Sequence, residues 1–193
     1  MRLLSFFKQI HEFNQLNIDD KVTLIKYNLT IGLFINAVLS YNMETHQIIE
    51  TDSDPPLNME IYQLIHGYYI CTKLSKVFHS FLHIANFDKK IIELSLIIFI
   101  LTKGFSTTDI HEPILNHPMN VYHTLNYYIQ LLWKYIEINH GFNIAIHLFS
   151  KLISNVLSWQ TLQQDMRNNL LRILSPDDID RLVPIMKLVL HIS

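Results

Sequence analysis

Cysteine is nearly absent from this sequence. The single Cys71 excludes an internal disulfide framework and any zinc site built on cysteine pairs, and it fits a chain kept in a reducing compartment. Glycine occurs only four times, too sparsely for a phosphate-cradling loop or a β-rich fold. No dinucleotide fingerprint and no Gly-x-Ser-x-Gly elbow is present. Charge is scarce too, at 17% of residues, with fifteen basic against seventeen acidic side chains and a net charge of −2. Without a basic block to neutralise phosphates, direct DNA binding by this chain is not expected. Unbroken apolar runs long enough to span a bilayer are missing as well. One long uncharged stretch, residues 27–43, is nearly long enough to span a bilayer but is interrupted by Asn28, Thr30, Asn36, Ser40 and Asn42, so it reads as a central core helix, with a membrane span as the alternative. Residues 1–8 hold too short an apolar core for a secretory signal.

What remains is apolar and helical. Apolar residues make up 49% of the 193, enough for one core that buries roughly 70% of the unfolded surface. Residues 17–41 are expected to form a helix capped by Asn17, with Asp20 near its positive end. Its middle is apolar all round (Leu29, Ile31, Leu33, Phe34, Ile35, Val38, Leu39), so it must be covered on several sides. Residues 45–50 suit one short extended segment, and the acidic, proline-paired 52–56 a turn. Helical spacing resumes from Ile61 to Phe81, and a helix over 89–101 follows, capped by Asn86 or Asp88. Residues 103–118 read as a loop. Val121 to Ile136 marks another helix, ended at Gly141, and residues 143–171 a long one. The 175–178 stretch is a loop or helix start, and Pro184 suits the first turn of a brief last helix over 184–190. So short a helix is not stable alone and must dock.

Catalytic and metal chemistry find little support in the pattern. His111-Glu112 and His117 lack the one-turn spacing of a helical zinc site, and Pro113 and Pro118 place them in a loop. Asp177, Asp178 and Asp180 are explained as first-turn helix charges. Cys71, among Tyr69, Ile70 and Leu74, reads as a packed thiol. The Leu170-Leu171-Arg172-Ile173-Leu174 run is an ordinary core-face pattern. No catalytic residue, metal ligand or cofactor is assigned.

One stretch differs in kind. Phe6-Phe7-Lys8, then Phe13, Leu16, Asp20-Lys21 and Leu24-Ile25-Lys26 resemble, in order and spacing, the signature of nuclear hormone receptor ligand-binding domains. There an aromatic-x-Lys element ends one helix, a Phe and a Leu fill the loop, and an Asp-Gln or Asp-Lys pair opens the next. Phe87-Asp88 resembles the family's Leu-Asp helix opening, and residues 133–140 resemble the end of the helix that precedes the dimerisation helix. Residues 181–190 look like a receptor activation helix, nearest to the vitamin D receptor-like group.

The resemblance implies an all-α layered helical sandwich with a short β-turn region. Residues 1–193 would form a single partial ligand-binding domain that begins at the end of the family's third helix, with the first helices and the zinc-finger domain missing. It implies a nuclear, non-catalytic transcription regulator whose ligand is a small lipophilic molecule. Its partners would be co-regulator helices of the Leu-x-x-Leu-Leu type and a retinoid X receptor-type heterodimer partner or a second copy, with no membrane. By the same resemblance Lys8, Val22, Ile25, Lys26, Ile185 and Leu188 line the co-regulator groove. Leu33, Asn36, Ala37 and Ser40 line the ligand pocket, between the central helix and the helices near residues 61–81 and 143–162. Asn36 stands where some relatives carry an Arg, and Ile91 where relatives with a retinoid X receptor-type partner often carry an acid. Leu188 replaces the Glu that holds the guest helix's N-terminal amides. Losing a charge-assisted bond of about 1.5–3 kcal/mol lowers activator affinity roughly ten- to a hundredfold. A second reading keeps the fold but not the switch: a ligand-independent dimerisation or repressor module.

Overall fold

The computed structural model describes residues 3–45, 47–48, 59–104, 112–182 and 187, and 83% of them are helical. The chain runs α1 (Leu3–Lys8), α2 (His11–Asn14), α3 (Ile18–Leu39), β1 (Tyr41–Asn42), β2 (Gln47–Ile48), α4 (Met59–Phe87), α5 (Lys89–Leu101), α6 (Pro118–His140), α7 (Phe142–Ile173) and α8 (Pro176–Arg181). The protein is all-α. Its two-residue strands form one antiparallel pair, Tyr41 opposite Ile48 and Asn42 opposite Gln47. The helix expected over 17–41 therefore ends at Leu39, because Tyr41 is drawn into this pair. Neither strand is long enough to stand without the helices beneath it.

Local chemistry sets most of the helix ends. Asn17 Oδ1 accepts from the Asp19 amide at 2.9 Å and starts α3. Of the two candidate caps before α5, Asp88 is the one used: its Oδ1 accepts from the Lys90 amide at 3.0 Å. Gly141, at φ 91°, separates α6 from α7 in a conformation that few other residues tolerate. Gly67, at φ 75°, bends α4 in the same way. Ser175 and Asp178 form a capping box that opens α8, which decides between loop and helix start there.

α5 is the most enclosed helix, packed against α3, α4 and α6, while α7 lies across α4 and α6. α3 is covered by α5, α4 and α1, as an all-round apolar helix requires. Gly32 allows that closeness: a Cβ there would sit 3.1 Å from side-chain atoms of both Leu3 and Ile100. α3 is long and apolar enough to cross a membrane, yet half of that window is buried against its neighbours. An aromatic cluster joins α3, α4 and α7. Phe34 stacks on Trp159 with centroids 4.0 Å apart and meets Phe81 and Phe78 edge-on at 5.8 and 6.0 Å.

Two buried polar residues of α3 hold the connection from α5 to α6. Asn28 Nδ2 donates to the Ile100 and Thr102 carbonyls at 2.9 and 3.0 Å, satisfying the C-terminal end of α5. Asp20, 2% exposed, accepts from the Asn116 and His117 amides at 2.6 and 2.9 Å, just before α6 begins. At the other end of α6, His140 Nε2 and Tyr135 Oη both reach Asp88 Oδ2 at 2.9 Å. Burial pulls the Asp88 carboxyl upward, but the bonds from His140 and Tyr135 outweigh it and hold the carboxyl below its ordinary value. A depressed carboxylate contributes stability above its unfolded value, about pH 3.9, and loses it as pH falls through the folded value. We therefore expect Asp88→Asn, which keeps the cap, to flatten the acid limb of a stability–pH profile followed by urea unfolding. An unchanged limb between pH 5 and 3 would contradict this linkage.

Candidate functional site

The site grows from the hairpin of α1, α2 and the start of α3. Phe6-Phe7-Lys8 closes α1, with Phe7 buried against Phe13 (centroids 5.2 Å), and Leu16 is buried in the turn before α3. Asn14 links the two sides. Its Nδ2 donates to the Lys8 carbonyl at 2.6 Å, and its own carbonyl accepts from Lys21 Nζ at 2.6 Å. Lys21 is thus engaged at the C-terminal end of α2, where a cation complements the helix dipole. α2 is fixed to α6 by Tyr128 Oη, which donates to Glu12 Oε2 at 2.6 Å. That bond, first among the causes, lowers the Glu12 carboxyl; burial, then the Glu12 carboxylate, push the Tyr128 phenol well above the ordinary tyrosine value.

On this frame α3 presents a continuous apolar stripe. Ile18, Val22, Ile25, Leu29 and Leu33 recur at helical spacing on one face, within about 80° of each other at 3.6 residues per turn. Ile18, Val22 and Leu33 are 66%, 58% and 45% exposed, while Ile25 and Leu29 are partly buried against the core. Exposed apolar residues scattered singly need no explanation; Ile18, Val22 and Leu33 share one face of a single helix. Lys8 and Lys26 are both exposed, and Lys26 Nζ lies 5.6 Å from the Tyr27 ring centroid. Of the six residues expected in the groove, Lys8 ends α1 and Val22, Ile25 and Lys26 lie on α3. Ile185 and Leu188 fall outside the described residues.

The four residues expected to line a ligand pocket follow one another at helical spacing at the end of α3 but differ in exposure. Leu33 belongs to the outward stripe, 45% exposed, whereas Asn36 is 6% exposed with its Oδ1 buried and unpartnered by hydrogen bond. Ala37 and Ser40 are half-buried. Phe34, Phe78, Phe81 and Trp159 occupy the junction of α3, α4 and α7. Ile91 is fully buried in the core and is no part of an outer face. Cys71 is buried on α4. His111 falls outside the described residues; Glu112 Oε2 accepts from the Gly104 amide at 2.6 Å. Asp20 and Asn28 carry positioning roles that periodicity does not announce; the one signal is a polar residue on the buried side of an apolar helix.

No family model and no curated protein sequence matches this chain.

The Glu12–Tyr128 bond has a direct test. Tyr128→Phe should cost about 1 kcal/mol, a hydrogen bond to a half-exposed carboxylate, and should raise the Glu12 carboxyl toward its ordinary value. NMR titration of the Glu12 side chain reads the second effect, and an unmoved titration would remove the bond from the account.

Proposed function

We propose that the chain is a nuclear receptor-type ligand-binding domain, acting in the nucleus without catalysis and docking an amphipathic co-regulator helix on α3. The carrying observation is the partly exposed apolar stripe of α3, with the exposed Lys26 on the same helix and the exposed Lys8 at the end of α1. A guest helix of the Leu-x-x-Leu-Leu kind buries its i, i+3 and i+4 side chains in such a stripe. Its C-terminal carbonyls carry partial negative charge, which a lysine at the groove end complements. Support also comes from the connection between α1 and α3, where Phe13 on α2 and Leu16 after it are buried and Asp20-Lys21 lies in the first turn of α3.

The layered sandwich of that family is the architecture we assign, with α6 and α7 in the places of its last long helices. We infer a lipophilic ligand for the space bounded by α3, α4 and α7. Leu188 leaves the guest's N-terminal amides without their acid, so activator affinity is low in the natural sequence.

Fluorescence polarisation with a labelled Leu-x-x-Leu-Leu peptide tests the reading. Val22→Asp should abolish binding, Lys8→Ala and Ile185→Ala should each weaken it severalfold, and Leu188→Glu should strengthen it roughly tenfold or more. Binding indifferent to Val22→Asp and Lys8→Ala would refute the groove.

Two observations favour the second reading, a ligand-independent dimerisation or repressor module. The aromatic cluster of Phe34, Phe81 and Trp159 fills the junction where a ligand would lie. α7 exposes Phe142, Ile146, Ile153 and Leu157 on one stripe, the i, i+4, i+11, i+15 pattern of a helix that pairs with another. Analytical ultracentrifugation separates the two. A dimer dispersed by Leu157→Asp, with no lipid seen by native mass spectrometry, supports the second reading. A lipid carried through purification supports the first.

A further inference from the structure

His79 and His83 stand one turn apart on α4, and both side chains are exposed. Helical residues at i and i+4 hold their Cβ atoms about 6 Å apart, a spacing at which two imidazoles meet on one ion. His79 is already oriented. Its Nδ1 lies 2.8 Å from the Ser75 carbonyl oxygen. A carbonyl only accepts, so Nδ1 carries the hydrogen, and in the neutral ring Nε2 holds the lone pair. A hydrogen bond from the far ring nitrogen to a carbonyl is also how metal-bound histidines fix their tautomer and ring direction.

We propose that His79 and His83 form a two-imidazole site for a late first-row divalent cation, of the zinc, nickel and copper class. Imidazole suits these ions, whereas magnesium and calcium need oxygen ligands that this face of α4 does not offer. Among the described residues no three His, Cys, Asp or Glu side chains gather at one point, so of these residues His79 and His83 alone are assigned as ligands, with water at the open positions. This is an open site and not a structural one. Lys76, three residues before His79 on the same face, is exposed and repels the ion through water. At about 8 Å that repulsion is worth a severalfold loss of affinity, less at high salt. The pair escapes a motif search because nothing between the two histidines is diagnostic. The inference is independent of the groove.

Titration of the full chain with zinc chloride, followed by calorimetry, tests it. Both imidazoles are exposed, so neither substitution should disturb the fold, and circular dichroism of each variant confirms that. We expect His79→Ala and His83→Ala each to weaken the tightest zinc event tenfold or more, and Lys76→Ala to strengthen it severalfold. In long-range nitrogen NMR the zinc-dependent shift should fall on Nε2 of His79. A tightest event that survives either histidine substitution would overturn the proposal by assigning the ion to other histidines. A shift on Nδ1 of His79 would overturn the orientation on which it rests.

Discussion

Asp20 and Asn28 are the constraint from which the arrangement follows. Both lie on α3, both are almost fully buried, and between them they hold the two ends of the connection from α5 to α6. Asn28 supplies donors to the last carbonyls of α5, and Asp20 accepts amides at the entry to α6. An orphaned backbone group in the interior costs about 1–3 kcal/mol, so these bonds fix where α6 must start. Once α6 is placed, Tyr128 reaches Glu12 on α2, and Tyr135 and His140 reach Asp88 at the start of α5. One helix thereby organises the hairpin that forms the candidate groove as well as the core behind it.

The two sides of α3 do different work. Toward the interior, Leu24, Ile31 and Ile35 are fully buried and Phe34 stacks on Trp159. Toward solvent, Ile18, Val22 and Leu33 stay exposed, with the exposed Lys26 on the same helix. A helix whose buried face is fixed by packing and polar bonds presents its outer face in a rigid register, and rigidity lowers the cost of binding a guest. The dense aromatic interior bears on the ligand. Where Phe34 and Trp159 already fill the space between α3, α4 and α7, a lipophilic molecule must displace packed rings to enter. A surface that docks helices without needing such a molecule is the economical alternative.

Much of the helical framework is legible in the sequence because it rests on local rules. Asn17, Asp88 and Gly141 mark helix ends by capping and φ preference, and the spacing of Val121 to Ile136 gives α6 directly. Tyr41 is not legible as a strand, since its pairing with Ile48 depends on contact across a turn. The site divides along the same line. Val22, Ile25 and Lys8 enter through the resemblance alone; Val22 and Ile25 share one face of α3, and Lys8 ends α1. Leu33 and Asn36, three residues apart, look like neighbours on one lining face. The first is exposed and the second buried, because the neighbours of α3 change along its length. Lys21 belongs to the resembling motif in the sequence, but its hold on the Asn14 carbonyl is a contact made only when α2 folds back. Asp20 gives its position near a helix start but not its two partners, which lie some ninety-six residues on.

Methyl NMR on the isoleucine-, leucine- and valine-labelled chain, with an unlabelled Leu-x-x-Leu-Leu peptide added, most directly tests whether the outer face of α3 receives a helix. The account predicts shifts concentrated on Val22, Ile25 and Leu29, while the methyl groups of Leu24 and Ile31 on the buried face stay in place. Saturating peptide that leaves Val22 and Ile25 unmoved, or that shifts only methyl groups on α6 and α7, would contradict it.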